Sequence, residues 1–290
     1  MTMRVVSWNI DARGGGLRER IDRLANFDAD ILLLQEVPRH AAPLLPAVSR
    51  VAWAELSVMH SEPTGGPGAR LGTAILASDR GQLRDAGQIP QQRFIDAGAR
   101  AGLSESEVRE RTGWLHRNLY ADVEVDGVPL RVCSLHARPG TGGAPGRPPL
   151  GYTRQVFHRV CADWIAEHDG TALFGIDANG PFIDHPDLEC WQPAMAGDAT
   201  LIGPAPEHHL TDAMYRWLAA RPDELQTIRH TRPDGPLAVS YMTTRSQRPC
   251  RYDHVYVTDD LDVENISYRS PYADGSDHGA VVTDLAIRQP

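Results

Sequence analysis

Apolar and polar positions follow two alternating periods along this chain. Residues 4–10 (RVVSWNI) form an apolar, β-branched run that ends near Asn9, with Asp11 two positions on. Leu17, Ile21, Leu24 and Ala25 then recur at helical spacing, and Ile31 to Leu34 are four aliphatics ending in Gln35-Glu36. The pattern predicts β-α-β. Parallel neighbouring strands would bring Asn9 and Glu36 to one edge of the sheet, where α/β sites lie. Further strands are predicted near 51–59, between connections at 43–46 and 65–68, and at 72–77. Residues 79–112 carry little pattern beyond a helix start at Ser104 and Glu107, spaced as a capping box, and read as an insertion or lid.

Residues 119–125 and 129–136 flank Asp126-Gly127, a two-residue hairpin signature, and the second strand stops on His136. The Gly/Pro-rich stretch 138–151 reads as a surface loop with Arg138 and Arg147 available to anions, or as a linker between halves. A helix over 153–166 leads to a strand at 172–176 that ends in Asp177-Ala178-Asn179. Residues 210–212 open a helix through Leu218, and 241–243 are a short strand. Residues 251–257 alternate, with Asp253, Val255 and Val257 on one face, and a last strand covers 281–287.

Composition narrows what the pattern can be for. At 290 residues the chain can bury a large core as one α/β domain or two packed halves. A formal charge of -9 argues against coating nucleic acid through basic patches, though not against touching a few phosphates. All 29 basic residues are arginine, which removes lysine Schiff-base chemistry. Cys133, Cys161, Cys190 and Cys250 lack zinc or redox spacing, and Cys133 and Cys161 sit in apolar, buried-type segments. The chain starts directly in a strand, and no apolar run would span a membrane, so a soluble cytoplasmic protein without an obligate protein partner is expected.

Polar residues that end apolar strands are the candidates for chemistry. Glu36 after four aliphatics needs a partner, either a metal ion or an arginine. Asp177 and Asn179 project to one side of an extended chain and can hold a water, or simply make an Asp/Asn turn. Asp253, on a valine face, reads as a buried acid whose best partner is His278, since the pairing would fix a tautomer and raise the imidazole pKa. Asp277 and His278 stand side by side in a Gly/Ser turn, where they offer a hard oxygen and a proton carrier, or a solvated loop.

Six stretches, SWNID, LLLQEV, SLHARPG, GIDANG, RYDHVYV and GSDHGAVV, stand in one order over nearly the whole chain. That order resembles the endonuclease/exonuclease/phosphatase superfamily. The resemblance implies a four-layer α/β sandwich with two packed mixed β-sheets, one catalytic domain over 1–290 with pseudo-symmetric halves divided near 138–151, and hydrolysis of a phosphate ester with Mg²⁺ or Mn²⁺. It implies Glu36 as principal metal ligand, Asn9 and Asp277 near the same ion, and Asp11 at a second or shifted position. It further implies Asp177 and Asn179 as the pair that activates and orients water, His278 supported by Asp253 at the scissile phosphate, and His136 on the leaving-group side. Arg138 would contact substrate, which the resemblance leaves as nucleic acid or a small phosphorylated molecule. An all-oxygen ligand set suits a hard cation rather than zinc.

Two departures stand out. At the position where the deoxyribonuclease-like branch carries a carboxylate to support its histidine, this chain has Arg117-Asn118, so His136 is expected to lack a carboxylate. The glycine usual before Asp-x-Asn is Ile176. Substrate choice is expected to lie in 79–117 and 138–151. The expected reaction is on a phosphodiester; the alternatives are a catalytically silent binding module on the same fold, a phosphatase for a small phosphorylated metabolite or lipid head group, and a Ser/His/Asp hydrolase using Ser134 or Ser276, which has no G-x-S-x-G elbow here.

Overall fold

The computed structural model describes residues 2–11, 16–38, 41, 44–45, 52–53, 71–112, 117–139 and 150–288. Two six-stranded sheets carry the architecture. The first runs, in spatial order, β13 (Leu261–Tyr268), β14 (Val281–Ile287), β1 (Thr2–Asn9), β2 (Ile31–Pro38), β4 (Leu71–Ala77) and β3 (Ala52–Trp53). The second runs β5 (Gly81–Gly87), β6 (Asn118–Val125), β7 (Val128–His136), β8 (Ala172–Asp177), β12 (Asp253–Val257) and β9 (Thr211–Asp212). A short pair, β10 (Tyr241–Met242) and β11 (Pro249–Cys250), stands apart. Parallel and antiparallel pairs mix in both large sheets, as β1 is parallel to β2 and antiparallel to β14, and β8 is parallel to β7 and antiparallel to β12.

Strand alternation divides the side chains among three cores. Val5, Ile31, Leu33 and Ile75 from one sheet meet Leu119, Val123, Val132, Leu173, Val255 and Val257 from the other. Their neighbours Val6, Trp8, Leu32 and Leu34 point outward to Ile21 and Leu24, brought by helix α1 (Leu17–Arg23) and the turn after it. On the far side Cys133, Leu135, Phe174 and Ile176 pack against α2 (Gln91–Arg100), α3 (Glu105–Thr112) and α4 (Leu150–Ala166). The result is helix, sheet, sheet, helix: the four-layer α/β sandwich that the resemblance implies. Helices α5 (Ala213–Ala219) and α6 (Pro222–Thr231) add Met214, Leu218 and Ile228 to the inter-sheet core. The sheets approach so closely at Gly175 that a Cβ there would meet Ser7 Oγ at 2.4 Å.

The hairpin at Asp126-Gly127 forms with both residues at positive φ, as a type I′ turn requires. The Ser104 and Glu107 capping box also forms, Glu107 N–H on Ser104 Oγ at 3.3 Å and Ser104 N–H on Glu107 Oε2 at 3.0 Å. Residues 79–112, expected to be an insertion or lid, are instead part of the body. They supply the edge strand β5 and two helices whose Phe94, Ala97 and Val108 are buried against α4. Of the strand expected near 51–59 only Ala52–Trp53 is described, and the 65–68 loop and Arg147 lie outside the described residues. Among the described residues no helix is long and apolar enough to cross a membrane.

Candidate active site

Strand register assembles the site. His136 on β7 stands opposite Asp177 on β8, and Asp177 opposite Asp253 on β12, so three candidate residues form one row across adjacent strands about 4.8 Å apart per strand. On the facing sheet Asn9 ends β1, and Glu36 sits inside β2 rather than at its end. A register shift between Leu34 and Val37 bulges that strand and leaves Glu36 at φ +54°. Asp11 and Asn179 also have positive φ, at +42° and +49°. Left-handed backbone at a non-glycine residue is a local cost that surrounding structure must hold in place.

Asp177 Oδ2 is where these side chains meet. Asn9 Nδ2 donates to it at 2.9 Å from the opposite sheet, and Asn179 Nδ2 donates at 3.2 Å. His136 Nε2 lies 3.4 Å away and His278 Nε2 3.9 Å. The other oxygen, Oδ1, accepts Asn179 N–H at 2.9 Å, and Asn179 is pinned by a second donation to Ala137 O. Burial drives the Asp177 carboxyl pKa upward, and Asp253 adds to this while His278 opposes it. His278 Nδ1 pairs with Asp253 Oδ2 at 2.8 Å. Burial alone would lower the His278 pKa, but the Asp253 and Asp177 carboxylates outweigh it and raise the pKa, favouring the imidazolium.

His136 does not lack carboxylates, contrary to the expectation from Arg117-Asn118. Asn118 Oδ1 is used by Ile89 N–H, while His136 Nε2 faces Glu36 Oε1 at 3.7 Å as well as Asp177. The missing acid is replaced from across the sheet interface. Asp277 is half-buried and its charge reaches the His278 ring. Asp11 joins through its backbone, N–H on Asn9 Oδ1 at 3.0 Å, and Arg20 grips its carbonyl. Arg138, two residues past His136, is half-buried, and burial lowers its pKa.

Several positioning groups escape a reading of the sequence. Ser240 Oγ accepts both Tyr252 N–H and Asp253 N–H, and Tyr268 Oη donates to Asp253 O. Trp8 Nε1 donates to His278 O at 3.0 Å. Gln35 crosses between the sheets, its amide within 3.1 Å of Ser134 Oγ and 3.4 Å of Ser7 Oγ. The serines of the hydrolase alternative are both spent on structure. Ser134 Oγ donates to Leu34 O, while Ser276 Oγ donates to Asn9 O and accepts His278 N–H.

Solved structures match this fold over nearly the whole chain. An endonuclease/exonuclease/phosphatase from Bacteroides vulgatus aligns with TM-score 0.62 and 14% identity, over 99% of this chain and 100% of that one. This is the endonuclease/exonuclease/phosphatase fold. An endonuclease/exonuclease/phosphatase from Beutenbergia cavernae matches with TM-score 0.59 and 21% identity, over 99% of this chain and 72% of that one. D. rerio TDP2, solved with a single-strand DNA product, matches with TM-score 0.60 and 16% identity over 98% and 99%. No family model and no curated protein matches the sequence. Within the endonuclease/exonuclease/phosphatase fold, Asp177, Asp253 and His278 place one ligand-type atom each within 4.8 Å of one another, all buried.

Proposed function

We propose that this chain is a divalent-metal-dependent phosphodiesterase, one catalytic unit over residues 1–290 that hydrolyses a phosphodiester by in-line attack of water. The observation that supports it most is the convergence on Asp177 Oδ2 of two amides and two imidazoles drawn from both sheets. A buried carboxyl with a raised pKa is a better proton acceptor than an exposed one, which suits a general base for water. Asn179 fixes that base and holds the water's direction. His278, kept cationic by Asp253, faces the charge that grows on the phosphate, and His136 stands ready at the departing oxygen.

The donor chemistry fits Mg²⁺ or Mn²⁺. Asn9 and Glu36, on adjacent parallel strands, offer an amide and a carboxylate oxygen, and Asp277 and Asp11 add oxygen donors close by. When bound, the cation supplies charge neutralisation at the phosphate. Arg138, at the mouth of β7, supplies a fixed positive charge for a substrate oxygen.

Hydrolysis of bis(p-nitrophenyl) phosphate, p-nitrophenyl phosphate and plasmid DNA, each with Mg²⁺, Mn²⁺ or a chelator, tests this. Asp177→Asn, Glu36→Gln and His278→Ala are each expected to cost about 10²- to 10⁴-fold in turnover, the range for loss of an acid–base or electrostatic group. Full activity of Asp177→Asn, or turnover indifferent to chelator, would exclude the mechanism.

A further inference from the structure

A second recess adjoins the site. It is a cleft of 320 Å³ whose lining includes Phe182, Asp184, Asp234, Pro236, Arg248 and Arg251. Its place follows from β8 and β12. Phe182 is three residues past Asn179 on one side. Arg251 is two residues before Asp253 on the other, and the pairing continues outward through Ala178 N–H on Tyr252 O. Two residues of extended chain span about 7 Å, so the floor of the cleft at Arg251 begins about that far along the chain from Asp253.

The chemistry of the walls is selective. Arg251 is fully engaged at the floor, with Nε and Nη2 on Asp184 and Nη1 on Asp212, so the floor presents no free cation. Phe182 is 55% exposed, unusual for a phenylalanine, even though the Arg248 guanidinium lies 4.8 Å from its ring centre and donates to its carbonyl. Among the described residues Arg248 meets no carboxylate. One open aromatic face, one cation and proline walls suit a flat heterocycle. They do not suit a second phosphate, which would face the exposed Asp234 as well, and an acyl chain would make no use of the Arg248 cation.

We propose that this cleft seats a nucleobase next to the scissile phosphate, stacked on Phe182 with Arg248 at its rim. The phosphodiester cleaved is then a nucleotidyl one, and Phe182 sets that preference. This inference rests on the phosphodiesterase reading above and narrows its substrate class. Stacking of a base on an aromatic ring is tolerant of sequence because every base has a π-face.

The test compares thymidylyl-thymidine with its two analogues that lack one thymine or the other, alongside bis(p-nitrophenyl) phosphate. Wild type, Phe182→Ala, Phe182→Trp and Asp177→Asn are measured on each. Expected is a loss of about tenfold in kcat/KM for Phe182→Ala on the dinucleotide, the size of one base–aromatic stack. Removal of one particular thymine should cost wild type a similar factor and abolish the difference between wild type and Phe182→Ala. Phe182→Trp should restore the preference. Equal losses on all substrates, or no loss on the dinucleotide, would overturn the proposal. So would Asp177-dependent turnover of bis(p-nitrophenyl) phosphate with none of the dinucleotide, an outcome that leaves the phosphodiesterase reading standing. No Asp177-dependent turnover of anything would remove that reading and this inference together.

Discussion

His208 shows how completely a buried polar residue can be committed to one protonation state. Its Nδ1 accepts Leu210 N–H at 3.2 Å, so its Nε2 must carry the proton donated to Leu201 O at 3.0 Å. Protonating Nδ1 would set two N–H groups against each other. Burial, the largest cause, lowers the pKa to about 4 from an ordinary 6.5. Because the folded value lies below the unfolded one, the unfolded chain takes up a proton first as pH falls. Stability from this group is complete above about pH 6.5 and is lost on the way down to about pH 4, by roughly 3 kcal/mol at most. Chemical denaturation across pH 7 to 4 should show this limb in wild type and a flatter one in His208→Gln; identical slopes would remove His208 as its source. Nothing in the sequence marks His208, since its neighbour His209 looks equivalent. Asp177, Asn179 and Asp253 are legible for the opposite reason: the first two stand at and just past the end of an apolar strand, and the third opens one.

At the scale of elements, the bulge in β2 is what aims Glu36. The bulge places Gln35 toward the facing sheet, where its amide reaches Ser134 and Ser7 while Ser134 bonds back to Leu34 O. Gln35→Leu should lower stability by about 1–3 kcal/mol, because buried hydroxyls lose their partner. It should also weaken Mn²⁺ binding measured by calorimetry, because Glu36 is released from its strained backbone. Unchanged Mn²⁺ affinity would show that Glu36 is aimed without Gln35. Two other bulged strands are the ones least visible in the sequence. In β13 a shift between Val263 and Asn265 puts Glu264 and Asn265 both outward, which breaks the alternation, and β5 is interrupted in the same way between Leu83 and Asp85. Helix α6 buries Ile228 as its hydrophobic contribution, so it lacks an apolar stripe. Its legible features are Pro222 at the first turn with Asp223 and Glu224 behind it. The unbulged strands β1, β7, β8, β12 and β14, whose patterns run uninterrupted, follow their sequence patterns closely.

For the whole molecule, the net charge of -9 sets how a polyanion would be held. With Arg138 as the arginine assigned to a substrate oxygen and Arg248 given to the base, a single-stranded oligonucleotide should release about one counterion on binding. The slope of log affinity against log salt should then be about -0.7. Fluorescence anisotropy with Asp177→Asn, in Mg²⁺, measures it, and a slope beyond about -4 would mean a basic track elsewhere on the surface. The fold was legible in the order of the strand-ending polar residues. The cleft at Phe182 was not, because its walls come from three segments, 181–184, 234–236 and 248–251, that lie far apart in the chain.

Strand order has one more consequence. The first half of the chain contributes β5, β6 and β7 to the second sheet, and the last segment returns β13 and β14 to the first. Both large sheets are therefore begun by the first half and finished by the second. A nick anywhere between 138 and 151 would leave two fragments, each with raw strand edges and only part of the acid, amide and imidazole set. The polypeptide is interlocked like clasped hands: Asn9, Glu36 and His136 come from one side of that division, and Asp177, Asn179, Asp253 and His278 from the other.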